Sequence, residues 1–231
     1  MKIKKIRFIL IPLFCLNLLL ISCNNTKTNT QETSSPVASP EKTSQPSQNG
    51  QQTNSFTEKV KFKLEDGNEA FSLKPKEDGA KLESPDGKEI ARLNLDETGK
   101  IKIKDSKDKV LGYVVTKAGY WKLENADQTS ELFILRLQED GDYKLETGDN
   151  KEVYRIKKRD YGFEIESPSK QSLYKIKSKD GKISLRNSSD QTILSTKDQF
   201  LPIAVTCFSF DVLNQQQQAG LAYAVQLSQG K

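Results

Sequence analysis

Glycines recur at Gly79, Gly99, Gly119, Gly141, Gly162 and Gly181, at spacings of 20, 20, 22, 21 and 19 residues, and this period constrains the fold more than any other feature. Most of them close a turn rich in Asp, Glu and Lys, as in Glu77-Asp78-Gly79 and Lys179-Asp180-Gly181. Midway between them lies a second polar turn, such as Ser84-Pro85-Asp86-Gly87, Asp105-Ser106-Lys107-Asp108, Gly148-Asp149-Asn150 or Asn187-Ser188-Ser189-Asp190. Gly, Asn and Asp accept the positive φ of tight hairpin turns. Between turns the chain alternates. Ile101 and Ile103 sit among Lys100, Lys102 and Lys104, and Tyr154 and Ile156 among Arg155 and Lys157. Tyr174 and Ile176 likewise alternate with Lys175, Lys177 and Lys179. Period two over short runs means strands with one wet and one dry face. The expectation is a mainly β chain of serial antiparallel hairpins, about fourteen strands in all. Such a sheet closes into a barrel, because closure removes its edges.

After Phe200 the alternation stops. Residues 200–213 are apolar nearly all round, which reads as a hydrophobic C-terminal helix with Asp198 as its cap and Pro202 in its first turn. A helix apolar on every side must be buried. A strand over 203–212 is the rival reading. Asn214 to Gln218 reads as a polar break, and 219–227 as a second, shorter helix.

Serial hairpins of about 20 residues followed by a hydrophobic C-terminal helix resemble the tubby C-terminal family, which includes the LURP-one-related domains and the phospholipid scramblases. The resemblance covers residues 60–213. It implies a closed antiparallel barrel threaded by the hydrophobic helix. Two departures stand beside it. The count here is about fourteen strands where the family has twelve, and a second helical piece follows. No residue matches the family's phosphoinositide-contacting positions, so headgroup binding is not carried over.

The start of the chain reads as an address. Lys2, Lys4, Lys5 and Arg7 precede an apolar run from Phe8 to Leu20 that only Asn17 interrupts. Ser22 then precedes Cys23, which looks like a bacterial lipobox. The run is short of the roughly 20 residues a membrane span requires. Residues 1–22 are therefore expected to be a signal peptide, with Cys23 the site of lipidation. Residues 23–55 would be the lipidated cysteine and a disordered linker of Asn, Thr, Ser, Gln, Pro, Lys and Glu. A coil of that length spans roughly 30 Å. Residues 56–231 form the β-rich domain, long enough for one sizeable core. The localisation implied is the bacterial cell envelope, lipid-anchored to a membrane, with the domain outside the cytoplasm.

Removing the leader also changes the charge. Four of the 36 basic residues lie within it and none of the 31 acidic ones, which leaves 32 against 31. A near-neutral chain in that compartment is no nucleic-acid binder. Cys15 goes with the leader and Cys23 takes lipid, so Cys207 has no intramolecular disulfide partner.

The chain has no histidine. That excludes Ser-His-Asp and Cys-His catalysis and His-ligated zinc. There is no Gly-Xaa-Ser-Xaa-Gly elbow, phosphate-cradling loop or paired Cys-Xaa-Xaa-Cys. The acidic turns Glu139-Asp140-Gly141-Asp142 and Gly148-Asp149-Asn150 do not follow the calcium-loop pattern and read as hairpin turns. Arg155, Lys157, Lys158 and Arg159 and the lysine ladders read as a wet face balanced by acids across the sheet, such as Glu146 and Glu164. Tyr113, Tyr120, Trp121, Tyr143, Tyr154, Tyr161 and Tyr174 read as core or rim, Cys207 as an inert small hydrophobe, and Asp211 as a carboxylate near a helix end. No catalytic, cofactor-binding or metal residue is assigned. The expected function is a non-catalytic binding or structural module, with the membrane as partner through Cys23 and a protein or glycan as ligand. The alternatives are a carboxylate-dependent envelope enzyme acting on polysaccharide and a tubby-like binder of anionic lipid.

Overall fold

The computed structural model describes residues 57–228. The expected signal peptide over 1–22, the expected lipidation site Cys23 and the expected linker over 23–55 lie outside the described residues. The strands are β1 (Val60–Lys63), β2 (Glu69–Lys76), β3 (Gly79–Glu83), β4 (Glu89–Leu95), β5 (Ile101–Asp105), β6 (Val110–Lys117) and β7 (Tyr120–Glu124), then β8 (Glu131–Leu137), β9 (Tyr143–Thr147), β10 (Glu152–Arg159), β11 (Gly162–Glu166), β12 (Ser172–Lys179), β13 (Lys182–Asn187) and β14 (Thr192–Thr196). Each pairs antiparallel with its neighbours in sequence, and β14 meets β1, so fourteen strands close into one up-and-down barrel. The helices that follow are α1 (Pro202–Thr206), a 3-10 turn (Cys207–Ser209) and α2 (Gln215–Ser228).

The two rims differ. At one, the loop rim, the hairpins β1–β2, β3–β4 and so on turn through three-residue loops, except β7–β8, which turns through four. The fourth residue of each turn has positive φ, as at Gly67, Gly87, Asp108, Asn150, Lys170 and Asp190. The first residue usually supplies a side-chain acceptor. Asp105 Oδ1 takes the amides of Lys107 and Lys109 at 2.8 and 3.0 Å, and Asn187 Oδ1 those of Ser189 and Gln191 at 3.0 and 2.9 Å. All seven of these hairpins carry a β-bulge just past the turn. The extra residues are aliphatic: Ala70, Ile90, Leu111, Leu132, Val153, Leu173 and Ile193. All but Ile193 pack against the core. A bulge adds twist and bend, so one per repeat curves the sheet evenly toward closure. The seam is thin. β1 and β14 share the single registered pair Lys63–Ser195, and the Lys61 amide donates to the Asp198 carboxylate at 2.6 Å. Asp198 thus serves the seam and does not cap a helix.

Inside, the alternation holds: Ile101, Ile103, Ile156 and Ile176 are fully buried and Tyr154 is 5% exposed. The helices run as a hairpin through the lumen. α1 starts at the second rim, the mouth, where the Leu201 amide donates to the buried Gln226 Oε1 at 2.8 Å. The chain reaches the loop rim at Asp211, whose carboxylate accepts the Tyr154 hydroxyl. α2 returns to the mouth, where Trp121 Nε1 donates to Ser228 Oγ at 2.7 Å. α2 lies against β3 to β7, and α1 against β11 to β13.

The wall is shaped for these helices. Under α2 it is thin, with Ala80, Ala91 and Gly112, and Gly220 of the helix meets the Ile103 side chain so closely that a Cβ would overlap it. Elsewhere aromatics fill the lumen. Phe62 stacks on Phe71 at 4.9 Å and meets Phe208 at 4.9 Å, while Tyr154 stacks on Phe210 at 5.6 Å.

The helix expected over 200–213 is broken. α1 ends after Thr206, whose hydroxyl donates to the Ile203 carbonyl at 2.6 Å, and Ser209 donates to the Thr206 carbonyl at 2.6 Å. Such local bonds compete with helix continuation, and Phe210 leaves helical geometry altogether. Asp211 and Val212 are exposed. The second helix begins four residues earlier than 219 and is the longer of the two. Its apparent break is its cap: Asn214 Oδ1 accepts the Gln217 amide at 2.9 Å, and Gln217 Oε1 accepts the Asn214 amide at 3.2 Å. This is a reciprocal box written with amides. The lumen thus holds a helical hairpin, where one threading hydrophobic helix was expected.

Gly220→Ala should lower stability by about 1–3 kcal/mol through overpacking. Ile103→Val, which removes the Cδ1 methyl the new Cβ meets, should restore part of it in denaturant melts. Additive losses in the double variant would mean that α2 does not press on β5.

Candidate functional site

With its own helices in the lumen, the barrel is open at the mouth. A cavity of about 620 Å³ lies there between the end of α2 and the wall. Pro75, Leu95, Ile101, Ala224 and Leu227 line it, with Thr57, Thr98 and Tyr223 as polar neighbours. β2, β4 and β5 and α2 each contribute, so no single stretch of sequence announces it. Burial, with the Asp78 charge behind it, pushes the Tyr223 hydroxyl up to about 12, so it stays protonated at neutral pH. A second hollow of about 500 Å³ lies on the other side of Ser228, between Lys117, Gly119, Trp121 and Leu137.

The titratable groups elsewhere are engaged in structure. Cys207 is fully buried and free of disulfide, and burial pushes its thiol far up. Tyr154 is raised by burial and then by its bond to Asp211. In the acidic turns, Asp140 accepts the Asp142 amide at 3.0 Å and Asp142 the Lys158 amide at 2.8 Å. Among the described residues no three Asp, Glu, Cys or His side chains gather as metal ligands.

The outer wall is an ion-pair lattice that follows the repeat. On four of the seven odd strands, β1, β3, β7 and β9, a lysine meets a glutamate eight or nine residues on, just past the loop-rim turn. Lys61 meets Glu69 at 3.6 Å, Lys81 meets Glu89, Lys122 meets Glu131 and Lys144 meets Glu152 at 3.7 Å. Arg92 and Arg155 reinforce the glutamates of their own strands. The basic cluster expected near β10 is tied the same way, Lys157 to Glu166 at 3.4 Å and Arg159 to Glu164 at 3.0 Å. The balancing carboxylates are therefore Glu152, Glu164 and Glu166, while Glu146 serves Arg136.

Three repeats depart from this pattern: β11 and β13 have Glu164 and Ser184 at the lysine position, while β5 keeps the lysine and loses the glutamate. Lys102 on β5 occupies the lysine position, but Val110 stands where the four paired repeats have glutamate, and Tyr113 stands where β4 and β10 have arginine. Lys100 Nζ and Lys102 Nζ lie 5.5 and 5.7 Å from the centre of the Tyr113 ring. Lys100 also donates to the Gln128 side-chain oxygen. Both lysines and the ring are half-buried. The neighbouring aromatic, Tyr120, likewise holds Lys122 and Arg136, but each of those has a carboxylate. The lysine ladder at 100–104 was legible in sequence. Lys104 in it pairs with Asp108 at 3.7 Å, and the missing partner of Lys102 was legible only by setting Val110 beside Glu69, Glu89, Glu131 and Glu152.

Burial works to raise the Glu89 carboxyl, but Lys81 and Arg92 outweigh it and hold it below its ordinary value of 4.5. Glu164 is held down against burial by Ser172 and Arg159. A group whose folded pKa is depressed contributes stability above its unfolded pKa and loses it as pH falls through the folded one. The barrel should therefore lose stability as pH drops below about 4.5. Melting temperatures of Glu89→Gln should fall less steeply over that range than those of the parent chain. Parallel curves would remove Glu89 from the cause.

No family model matches this chain, and no curated protein matches it. Two solved structures show a likeness. One is a protein of Arabidopsis thaliana, 11% identical over 68% of this chain and 90% of that one, at a TM-score of 0.37. The other is alternansucrase in complex with isomaltononaose, 9% identical over 55% of this chain and 12% of that one, at 0.17. At these values neither likeness bears on what the protein does.

Proposed function

We propose that this is a lipid-anchored cell-envelope protein, held by Cys23, whose barrel is a non-catalytic module that binds a small, largely apolar ligand at its mouth. One observation carries the reading. The chain fills its own lumen except at the mouth, where Pro75, Leu95, Ile101, Ala224 and Leu227 leave about 620 Å³ with a few polar neighbours. Pockets that hold small molecules run to roughly 300–1,000 Å³, mostly apolar, with a few polar groups to fix orientation. Thr57, through which the chain reaches β1, is part of the wall. The leader and the Ser22-Cys23 pattern supply the address.

Two measurements test this. Cys23→Ser should abolish metabolic labelling by fatty acid, and continued labelling would remove the anchor. The purified full chain should take up the neutral fluorescent probe N-phenyl-1-naphthylamine saturably. Leu227→Trp, which fills the cavity, should weaken that uptake severalfold at unchanged melting temperature. Uptake indifferent to Leu227→Trp would move the ligand site away from the mouth.

A further inference from the structure

We propose that the outer wall carries a second binding site, formed by Lys100, Lys102 and Tyr113, for an acidic polysaccharide. The argument is one of interrupted regularity. Four lysines at the equivalent position, Lys61, Lys81, Lys122 and Lys144, each meet a glutamate. Lys102 has Val110 at the glutamate position and Tyr113 directly across from it, and among the described residues neither Lys100 nor Lys102 pairs with a carboxylate. The Arg-plus-Glu filling of β4 and β10 is replaced on β6 by Tyr113 and Val110. Two half-buried ammonium groups therefore share one aromatic ring where the lysines at the equivalent position of β1, β3, β7 and β9 each have a glutamate. A ring balances a cation weakly, by about 0.5–1 kcal/mol at an exposed site. An incoming anion bridging the two ammonium groups gives the charge-assisted bonds they lack.

The occupant follows from the neighbours. A shallow cleft of about 120 Å³ adjoins the ring, lined by Asn94, Leu95, Asp96, Lys100, Lys102 and Tyr113. Its carboxylate, Asp96, is engaged first by Thr98 and more weakly by the Lys100 charge. Asp96 Oδ1 is held in its own turn by the Thr98 amide and hydroxyl at 2.9 and 2.6 Å and by the Lys100 amide at 3.0 Å. An aromatic face beside two cations and a cleft of that size suits one sugar ring bearing an anionic group. The site is on the side wall, so a linear chain of such sugars can lie along it. Glu124, across β6 from Tyr113, sets a negative border that limits the anion to the lysine side.

The test uses the full-length protein in neutral detergent at low salt, with oligogalacturonate as probe and maltoheptaose and glycerol 3-phosphate as comparisons. Oligogalacturonate should bind saturably, and neither comparison should bind as tightly. Lys102→Gln and Tyr113→Leu should each weaken binding roughly threefold to tenfold, the second at unchanged net charge. Val110→Glu supplies the missing carboxylate and should abolish binding without lowering the melting temperature. Lys81→Gln, the same charge change at a paired lysine, should leave affinity unchanged. The proposal is overturned if oligogalacturonate does not bind, or if glycerol 3-phosphate binds as well. Equal weakening by Lys81→Gln, or full binding by a folded Val110→Glu chain, overturns it too.

Discussion

Filling the lumen is the constraint on which this structure depends. Barrel diameter grows with strand number, and about eight strands already make an interior just wide enough for side chains to fill. Fourteen strands enclose far more. The C-terminal hairpin supplies the missing volume, and the wall thins or thickens to receive it. Ala80, Ala91 and Gly112 make room for α2, while Phe62, Phe71, Tyr154 and Phe208 occupy what the helices do not reach. The dependence is mutual. Ala219 to Gln226 are buried without interruption, and such a helix has no stable place in water. The barrel without its hairpin would be hollow, and the hairpin without its barrel would be exposed.

Because the interior is committed to structure, the cavities lie at the mouth and on the outer wall. The mouth is where helix ends, strand ends and the incoming chain meet, and their imperfect fit leaves the cavity. The outer wall is governed by the repeat. In four of the seven hairpins one lysine and one glutamate lie close enough to pair, on a chain with 29% charged residues. Against that background a single exchange of glutamate for valine changes the chemistry of a whole patch. Exposed ion pairs each contribute little to stability, so their regularity matters more for which patch is left unbalanced than for holding the barrel together.

Much of this was legible in the residues. Turn chemistry and period two gave hairpins, their number gave about fourteen strands, and the inward set Ile101, Ile103, Tyr154, Ile156 and Ile176 was readable from alternation alone. The bulges were not. An aliphatic residue such as Leu111 or Val153 looks like one more member of an alternating run, and its status as an extra residue is a property of the register with the partner strand. The helices were half legible. Hydrophobicity showed that residues after Phe200 must be buried. Side-chain to backbone bonds at Thr206 and Ser209 broke the first helix, and the Asn214–Gln217 box began the second inside what reads as a polar break.

Local rules act between residues near in sequence, and so the chain by itself determined the repeat, the hairpins, the strand count and the need to bury its C-terminus. The tertiary structure alone decided which strands lie under which helix, where a glycine lets α2 approach Ile103, and which side chains from β2, β4, β5 and α2 converge at the mouth. Those are facts about distance between residues far apart in sequence, set by closure and packing, and no local pattern carries them.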